Sequence, residues 1–292
     1  MMQIGLYIEV YFKLLGVQMP NWVQSKLTIT GKDADKIMKS LIEPDKTEHC
    51  GYRFVFDKIK PMPKSLMIQS GSTTNQCIRY YLSKLSNLEY AEVMNDALNI
   101  NPNWARSQNK IDASEMEAIK NDLIKYNSTA NPNDAYQPVL RTEEDIINFG
   151  KQAVENVIRY GYQDWYDWRI ENWNTKWEAC NTNYYPEDAT TIYFQTAWAD
   201  VRNLIKELSR KHPKNTFEYN FAEEQMGYYC GYVHFKNGKA LQNCEFKDYS
   251  KEAYEHSFAL WGEDESYVFN EKTGTYEYVD EDDDMGDSEG EM

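Results

Sequence analysis

The chain has 292 residues, 41% hydrophobic and 27% charged, with 23 Tyr and 8 Trp among its 14% aromatics. Such a composition can bury a sizeable core and excludes a wholly disordered or fibrous protein. The net charge of −16 is concentrated: residues 263–292 hold 13 acids and one base, Lys272, which leaves residues 1–262 at −4 with no basic cluster to neutralise nucleic-acid phosphates.

Residues 1–18 carry Glu9 and Lys13 within an apolar stretch. They lack a basic start and a small-residue cleavage site, so they read as an extension ahead of the domain. No window of the chain reaches 18 clean apolar residues, and no membrane span is expected. Trp22–Thr30 alternates and is rich in β-formers, a strand broken by Gly31. Lys32–Glu43 spaces Ile37, Leu41 and Ile42 for an amphipathic helix that Pro44 ends. Tyr52–Ile59 alternates again and closes at Pro61-Met62-Pro63. A β-α-β unit is predicted.

The period then changes. Helices are expected near 76–85, 89–97 and 114–126, with a loop at Asn131-Pro132-Asn133. A long helix is expected from Thr142, where Thr142-Glu143-Glu144-Asp145 supplies a cap and acids for the helix start. This block reads as an insertion. Strand signals return at Thr190–Thr196. A helix follows at 200–210, with Val201, Leu204, Ile205 and Leu208 on one face and Pro213 beyond it. Asn215–Phe221 is the next strand. Tyr228–Phe235 and Ala240–Phe246 flank Asn237-Gly238, the strongest short hairpin signal. Ser250–Leu260 can form a last helix. The run Asp280–Asp284 repels itself, and the acidic tail is expected to be disordered.

The predicted organisation is therefore an extension at 1–18 and a discontinuous α+β domain at 19–63 and 190–247. A helical insertion occupies 64–189, a C-terminal helix 248–262 and an acidic tail 263–292. Two β-α-β units closed by an antiparallel hairpin suggest a ferredoxin-like sandwich.

A search for chemistry is mostly negative. The five cysteines (Cys50, Cys77, Cys180, Cys230, Cys244) are odd in number and form no CxxC pair. They read as reduced thiols in a cytosolic protein. GxxxxGK, GxGxxG, HExxH and GxSxG are absent, and His49, His212, His234 and His256 are scattered. His234 reads as an ordinary strand residue. Glu223-Glu224 could be a carboxylate pair, but a solvated turn is the simpler reading. Gly231–Phe235 partly matches an RNA-recognition strand but lacks its basic residue and glycine. No catalytic residue, metal site or cofactor is predicted. Trp165, Trp168, Trp173 and Trp177 fall within 13 residues at helical spacings. They either fill the contact between insertion and sheet or present a partner-binding surface, since Trp is enriched at hot spots.

Four local motifs resemble one family. Met19-Pro20-Asn21-Trp22 is similar to the opening of plasmid- and phage-encoded proteins with the YubB ferredoxin-like domain, also called Api92-like. The strand ending Lys60-Pro61-Met62-Pro63 resembles that family's "PMP" strand end. Asn172-Trp173-Asn174-Thr175-Lys176-Trp177-Glu178-Ala179 resembles its "NWGTKWNA", with Asn174 where Gly is usual. Phe194-Gln195-Thr196-Ala197-Trp198 resembles its "F-x-TAW", followed here by Ala199-Asp200-Val201 instead of Ser-Pro-Pro.

The resemblance covers about 19–246. It implies a ferredoxin-like fold with a helical insertion and a mobile genetic element as source. It brings no enzymatic activity or catalytic residues to carry over. The expected function is that of a non-enzymatic accessory protein of a phage or plasmid that binds a host or phage protein. Inhibition of a host defence system is one form. Single-stranded RNA binding on the sheet face and an enzyme of unrecognised type are the alternatives.

Overall fold

The structure is a computed structural model that describes residues 20–84, 113–131 and 137–279. The extension at 1–18, the helix expected at 89–97 and the acidic run at 280–284 lie outside the described residues. The chain forms two compact units, one from Met1–Lys60 with Trp173–Met292 and the other from Pro61–Asn172.

The first unit starts with β1 (Trp22–Thr30), α1 (Ala34–Ser40), β2 (Ile42–Pro44) and β3 (Tyr52–Phe54). The second contains α2 (Ser72–Lys84), α3 (Ala113–Asn127), α4 (Glu143–Tyr160) and all but the last residue of α5 (Trp165–Trp173). The first unit resumes with β4 (Cys180–Tyr184), β5 (Thr191–Ala197), α6 (Arg202–Lys211), β6 (Thr216–Glu223), β7 (Cys230–Lys236) and β8 (Lys239–Glu245). It ends with α7 (Lys251–Trp261), β9 (Tyr267–Asn270) and β10 (Thr275–Tyr278).

Six strands form one antiparallel sheet in the order β4-β5-β1-β6-β7-β8. β1 lies between β5 and β6 and runs against both, so β5 and β6 are parallel to each other with α6 connecting them. This split β-α-β arrangement is the ferredoxin-like sandwich. The two distant sequence segments thus make one β-layer.

The period of two in β1 sets the layering. Val23, Ser25, Leu27 and Ile29 are buried on one face. In register they meet Thr196, Phe194 and Ile192 of β5, and Glu223, Phe221, Tyr219 and Phe217 of β6. The apolar stripe of α6 (Leu204, Ile205, Leu208) is buried with Val201, as its spacing requires. The predicted Asn237-Gly238 turn is present, with φ of 48° and 73°, and Gly238 N–H donates to Ser209 Oγ at 2.9 Å.

Four expectations need correction. The second strand stops at Phe54, and Phe56–Lys58 is a turn of 3-10 helix. β3 pairs only with β2, outside the main sheet, because Phe54 and Phe56 both turn into an aromatic core with Phe194, at centroid distances of 4.8 and 6.0 Å. The predicted first helix ends at Ser40, and Ile42 starts β2. The helical insertion does not extend to 189: β4 is a sheet strand, and residues from Trp173 onward belong to the sheet unit. The tail is not wholly disordered, because β9 and β10 form a hairpin within 263–292. Its Tyr267 and Tyr276 rings pack on Tyr254 and Phe258 of α7 at 5.1–6.0 Å.

In the second unit the cap expected at Thr142 forms, and the structure completes it as a capping box. Its hydroxyl accepts from Asp145 N–H, and the Asp145 carboxylate accepts from Thr142 N–H. Gly150 permits the close crossing of α4 over α2, since a Cβ there would lie 2.2 Å from the Cys77 carbonyl oxygen.

Candidate functional site: an aromatic face at one end of the sheet

Three separate segments finish at the same end of the sheet. β1 begins at Trp22, which stands opposite the last residue of β5, Ala197, while Val23 stands opposite Glu223 at the end of β6. Backbone bonds continue the ladder past the strands: Trp198 N–H donates to Asn21 O and Glu224 N–H to Trp22 O, each at 2.8 Å. The 174–177 loop is tied to the same corner. Thr175 Oγ1 donates to Ala197 O at 3.2 Å and Asn174 Nδ2 to Asp200 O at 2.8 Å.

This convergence brings three tryptophan rings together at tilted angles. Trp22 and Trp177 have ring centroids 6.3 Å apart, and Trp177 and Trp198 5.2 Å apart. The Lys176 ammonium lies 4.1 Å from the Trp198 centroid and 4.7 Å from that of Trp177, a cation–π pair. Trp198 remains 42% exposed and Trp177 40%, and Trp22 is half-buried. Trp198 sits at φ 66°, a left-handed backbone that disfavours a bulky side chain by about 1–2 kcal/mol. Asn174 has φ 67°. Asn tolerates that region far better than most side chains, which accounts for Asn standing where the resembling segment has Gly.

The loop after Trp198 carries a polar network centred on the buried Asp200. The Asp200 carboxylate accepts from Arg202 Nε at 2.9 Å and from Tyr229 Oη at 2.6 Å. Burial opposes the Arg202 charge, but hydrogen bonds and attraction from Asp200 and Glu245 outweigh it and pull its pKa up. Burial, then the neighbouring Asp200 charge, pushes the Tyr229 phenol up. Tyr219 Oη accepts from Val201 N–H at 3.0 Å and reaches Ser25 Oγ at 2.8 Å. Glu223, expected in a solvated turn, is buried. It accepts from Asn21 Nδ2 at 2.6 Å and Gln225 N–H at 2.8 Å, while Glu224 is exposed. The loops that present the tryptophans are therefore held by hydrogen bonds from Asn174, Thr175 and Asn21.

The four clustered tryptophans go to different places. Trp165 is half-buried under the Arg169 guanidinium at 5.2 Å, and Trp168 is buried. Trp173 is 1% exposed; its Nε1–H donates to Lys60 O at 3.0 Å and its ring meets Phe56 edge-on at 5.8 Å. Burial removes Trp168 and Trp173 from any surface and Trp165 is half-buried, which leaves Trp177 as the exposed one of the four.

Among the motif residues, Pro20, Asn21, Trp22, Lys176, Trp177, Thr196, Ala197 and Trp198 gather at the sheet corner described above. Thr196 Oγ1 closes the turn by donating to Ala199 O at 2.7 Å. Pro61, Met62 and Pro63 lie in the other unit, Met62 buried and Pro61 exposed. Trp22 and Trp198 were visible in sequence only as parts of motifs. Their meeting with Trp177 depends on strand register.

The outer sheet face carries the row Tyr193, Lys26, Asn220 and Tyr232, all half-buried. Val233 and Phe235 of the RNA-strand segment point the other way into the core. His234 and His256 both lie against Tyr232, at 5.4 and 6.4 Å, and His256 Nε2 donates to Gly231 O at 2.9 Å. His212 packs by Phe217 and His49 is exposed. Among the described residues no three His, Cys, Asp or Glu gather as a metal site, and no helix is long and apolar enough to cross a membrane.

Residues 172–279 match the family model of the ferredoxin-like domain in Api92-like protein. The matched span begins after β1, so the central strand of the sheet comes from outside it. Among solved structures, the protein api92 from Yersinia pseudotuberculosis aligns with 12% identity and a TM-score of 0.36, over 78% of this chain and 99% of that one. No curated protein matches.

Proposed function

We propose that this chain, whose residues 172–279 match the family model of the ferredoxin-like domain in Api92-like protein, is a non-enzymatic binding protein that grips another protein through Trp22, Trp177 and Trp198. One observation carries this reading: Trp198 is held exposed in a left-handed backbone that glycine would adopt without strain. Packing does not explain a large ring kept outside the core, and loop geometry alone would favour a smaller residue. Tryptophans on a fixed scaffold are the commonest energetic anchors of protein interfaces. The bonds from Asn174, Thr175 and Asp200 hold the loops in place, so little ordering remains to oppose association. The family resemblance supports a phage or plasmid accessory protein, with a host or phage protein in the bacterial cytoplasm as partner and inhibition of a host defence system as one outcome.

The test is capture from host lysate with the full chain and with Trp177→Ala and Trp198→Gly. The expected result is a protein recovered by the wild type and reduced about tenfold or more by either variant, as loss of a hot-spot ring implies. Failure to recover any protein in a Trp177- and Trp198-dependent manner would overturn the reading.

A further inference from the structure

A second exposed aromatic pair stands on the loops that follow β6 and β8. Tyr228 and Tyr249 stack with centroids 6.1 Å apart and planes 26° from parallel, and are 39% and 44% exposed. The pair is fixed: Tyr249 N–H donates to Gly227 O at 2.7 Å, Gln225 Nε2 to Tyr249 Oη at 2.8 Å, and Thr275 Oγ1 to Tyr249 O at 2.7 Å. Tyr249, like Trp198, keeps a bulky exposed ring at a left-handed φ, here 59°. Gln225 also donates its N–H to Glu223, the residue that holds Asn21, so the tyrosine pair and the tryptophan face share one support.

Charge then selects the ligand. Four exposed rings elsewhere lie under lysines of this chain: Trp177 and Trp198 under Lys176, Tyr126 under Lys125, Phe269 under Lys251. Among the described residues no cation lies over Tyr228 or Tyr249. Their exposed neighbours in sequence include Glu224 and Asp248 and the cations Lys247 and Lys251, of which Lys251 is engaged by Phe269 and Glu255. The β9–β10 segment, bonded to Tyr249 through Thr275, adds Glu263, Asp264, Glu265, Glu271 and Glu277 against Lys272, an acidic excess whose field attracts cations. A stacked aromatic surface in such a field suits a guanidinium, which is planar and weakly hydrated, better than an ammonium.

We propose that Tyr228 and Tyr249 take an arginine of the partner protein, so that the partner segment on this face is basic and arginine-bearing. This rests on the protein-binding reading and names the chemistry of the partner.

The test measures fluorescence anisotropy of labelled hexa-arginine, hexa-lysine and hexa-glutamate peptides on the full chain at roughly physiological salt. Hexa-arginine should bind severalfold more tightly than hexa-lysine, and hexa-glutamate should not bind. Tyr228→Ala with Tyr249→Gly should weaken the arginine peptide about tenfold, the scale of a lost desolvated cation–π contact. Glycine suits φ 59°, so thermal melting of this variant should match the wild type. Absence of arginine-peptide binding, equal affinity for lysine, or binding untouched by the tyrosine changes would each overturn the proposal. If such a failure came with intact Trp177- and Trp198-dependent capture, the arginine assignment alone would fall.

Discussion

Tyr219 shows what a single buried hydroxyl does here. It is fully buried between β1 and α6, accepts from Val201 N–H and contacts Ser25 Oγ, while burial and then Asp200 push its phenol well above the ordinary value. Tyr219→Phe leaves that N–H and the serine without this partner in an apolar setting. The expected loss is about 1–3 kcal/mol in urea unfolding, the penalty for an unsatisfied buried polar group; no change would show that water replaces the hydroxyl. The sequence displayed Tyr219 as one of three alternating aromatics and could not separate its role from that of Phe217. Trp177 was legible as a candidate from local Trp density. Trp22 and Trp198 join it only through antiparallel register, a long-range fact that spacing does not contain.

At the scale of elements, the clearest sequence signals were those whose physics is local. The Asn237-Gly238 turn, the Thr142 cap and the stripe on α6 all form as read. β4 (CNTNY) was missed because it buries Thr182 and Tyr184 while Asn and Cys occupy its other positions, giving little apolar alternation. The β9–β10 hairpin was hidden by surrounding acids, although Tyr267, Phe269, Tyr276 and Tyr278 alternate through it. Helix α7 carries a pH dependence. Burial holds the His256 imidazole below its ordinary value, against the bond to Gly231 O. The unfolded chain therefore takes up this proton before the folded one. Stability from this group is complete above a pH of about 6.5 and is lost as pH falls through the depressed folded value. Amide exchange within Lys251–Trp261, corrected for intrinsic rates, should accelerate between about pH 7 and pH 5; His256→Gln should flatten that response.

At the scale of the molecule, a strand from near residue 22 lies at the centre of a sheet whose other strands come from beyond residue 179. The tryptophan face exists only because both parts of the chain contribute to one corner. Acidity is gathered toward the C-terminal end, and the sheet body is left near neutral. The account makes Trp198 a presented residue and Trp173 a packed one, and unfolding free energies distinguish these roles. Trp198→Gly should change stability by no more than about 1 kcal/mol, because relief of the left-handed backbone offsets lost ring contacts and added chain entropy. A loss of about 3–5 kcal/mol, the range for truncating a buried tryptophan and the one expected of Trp173→Ala, would contradict the account by making Trp198 part of the core.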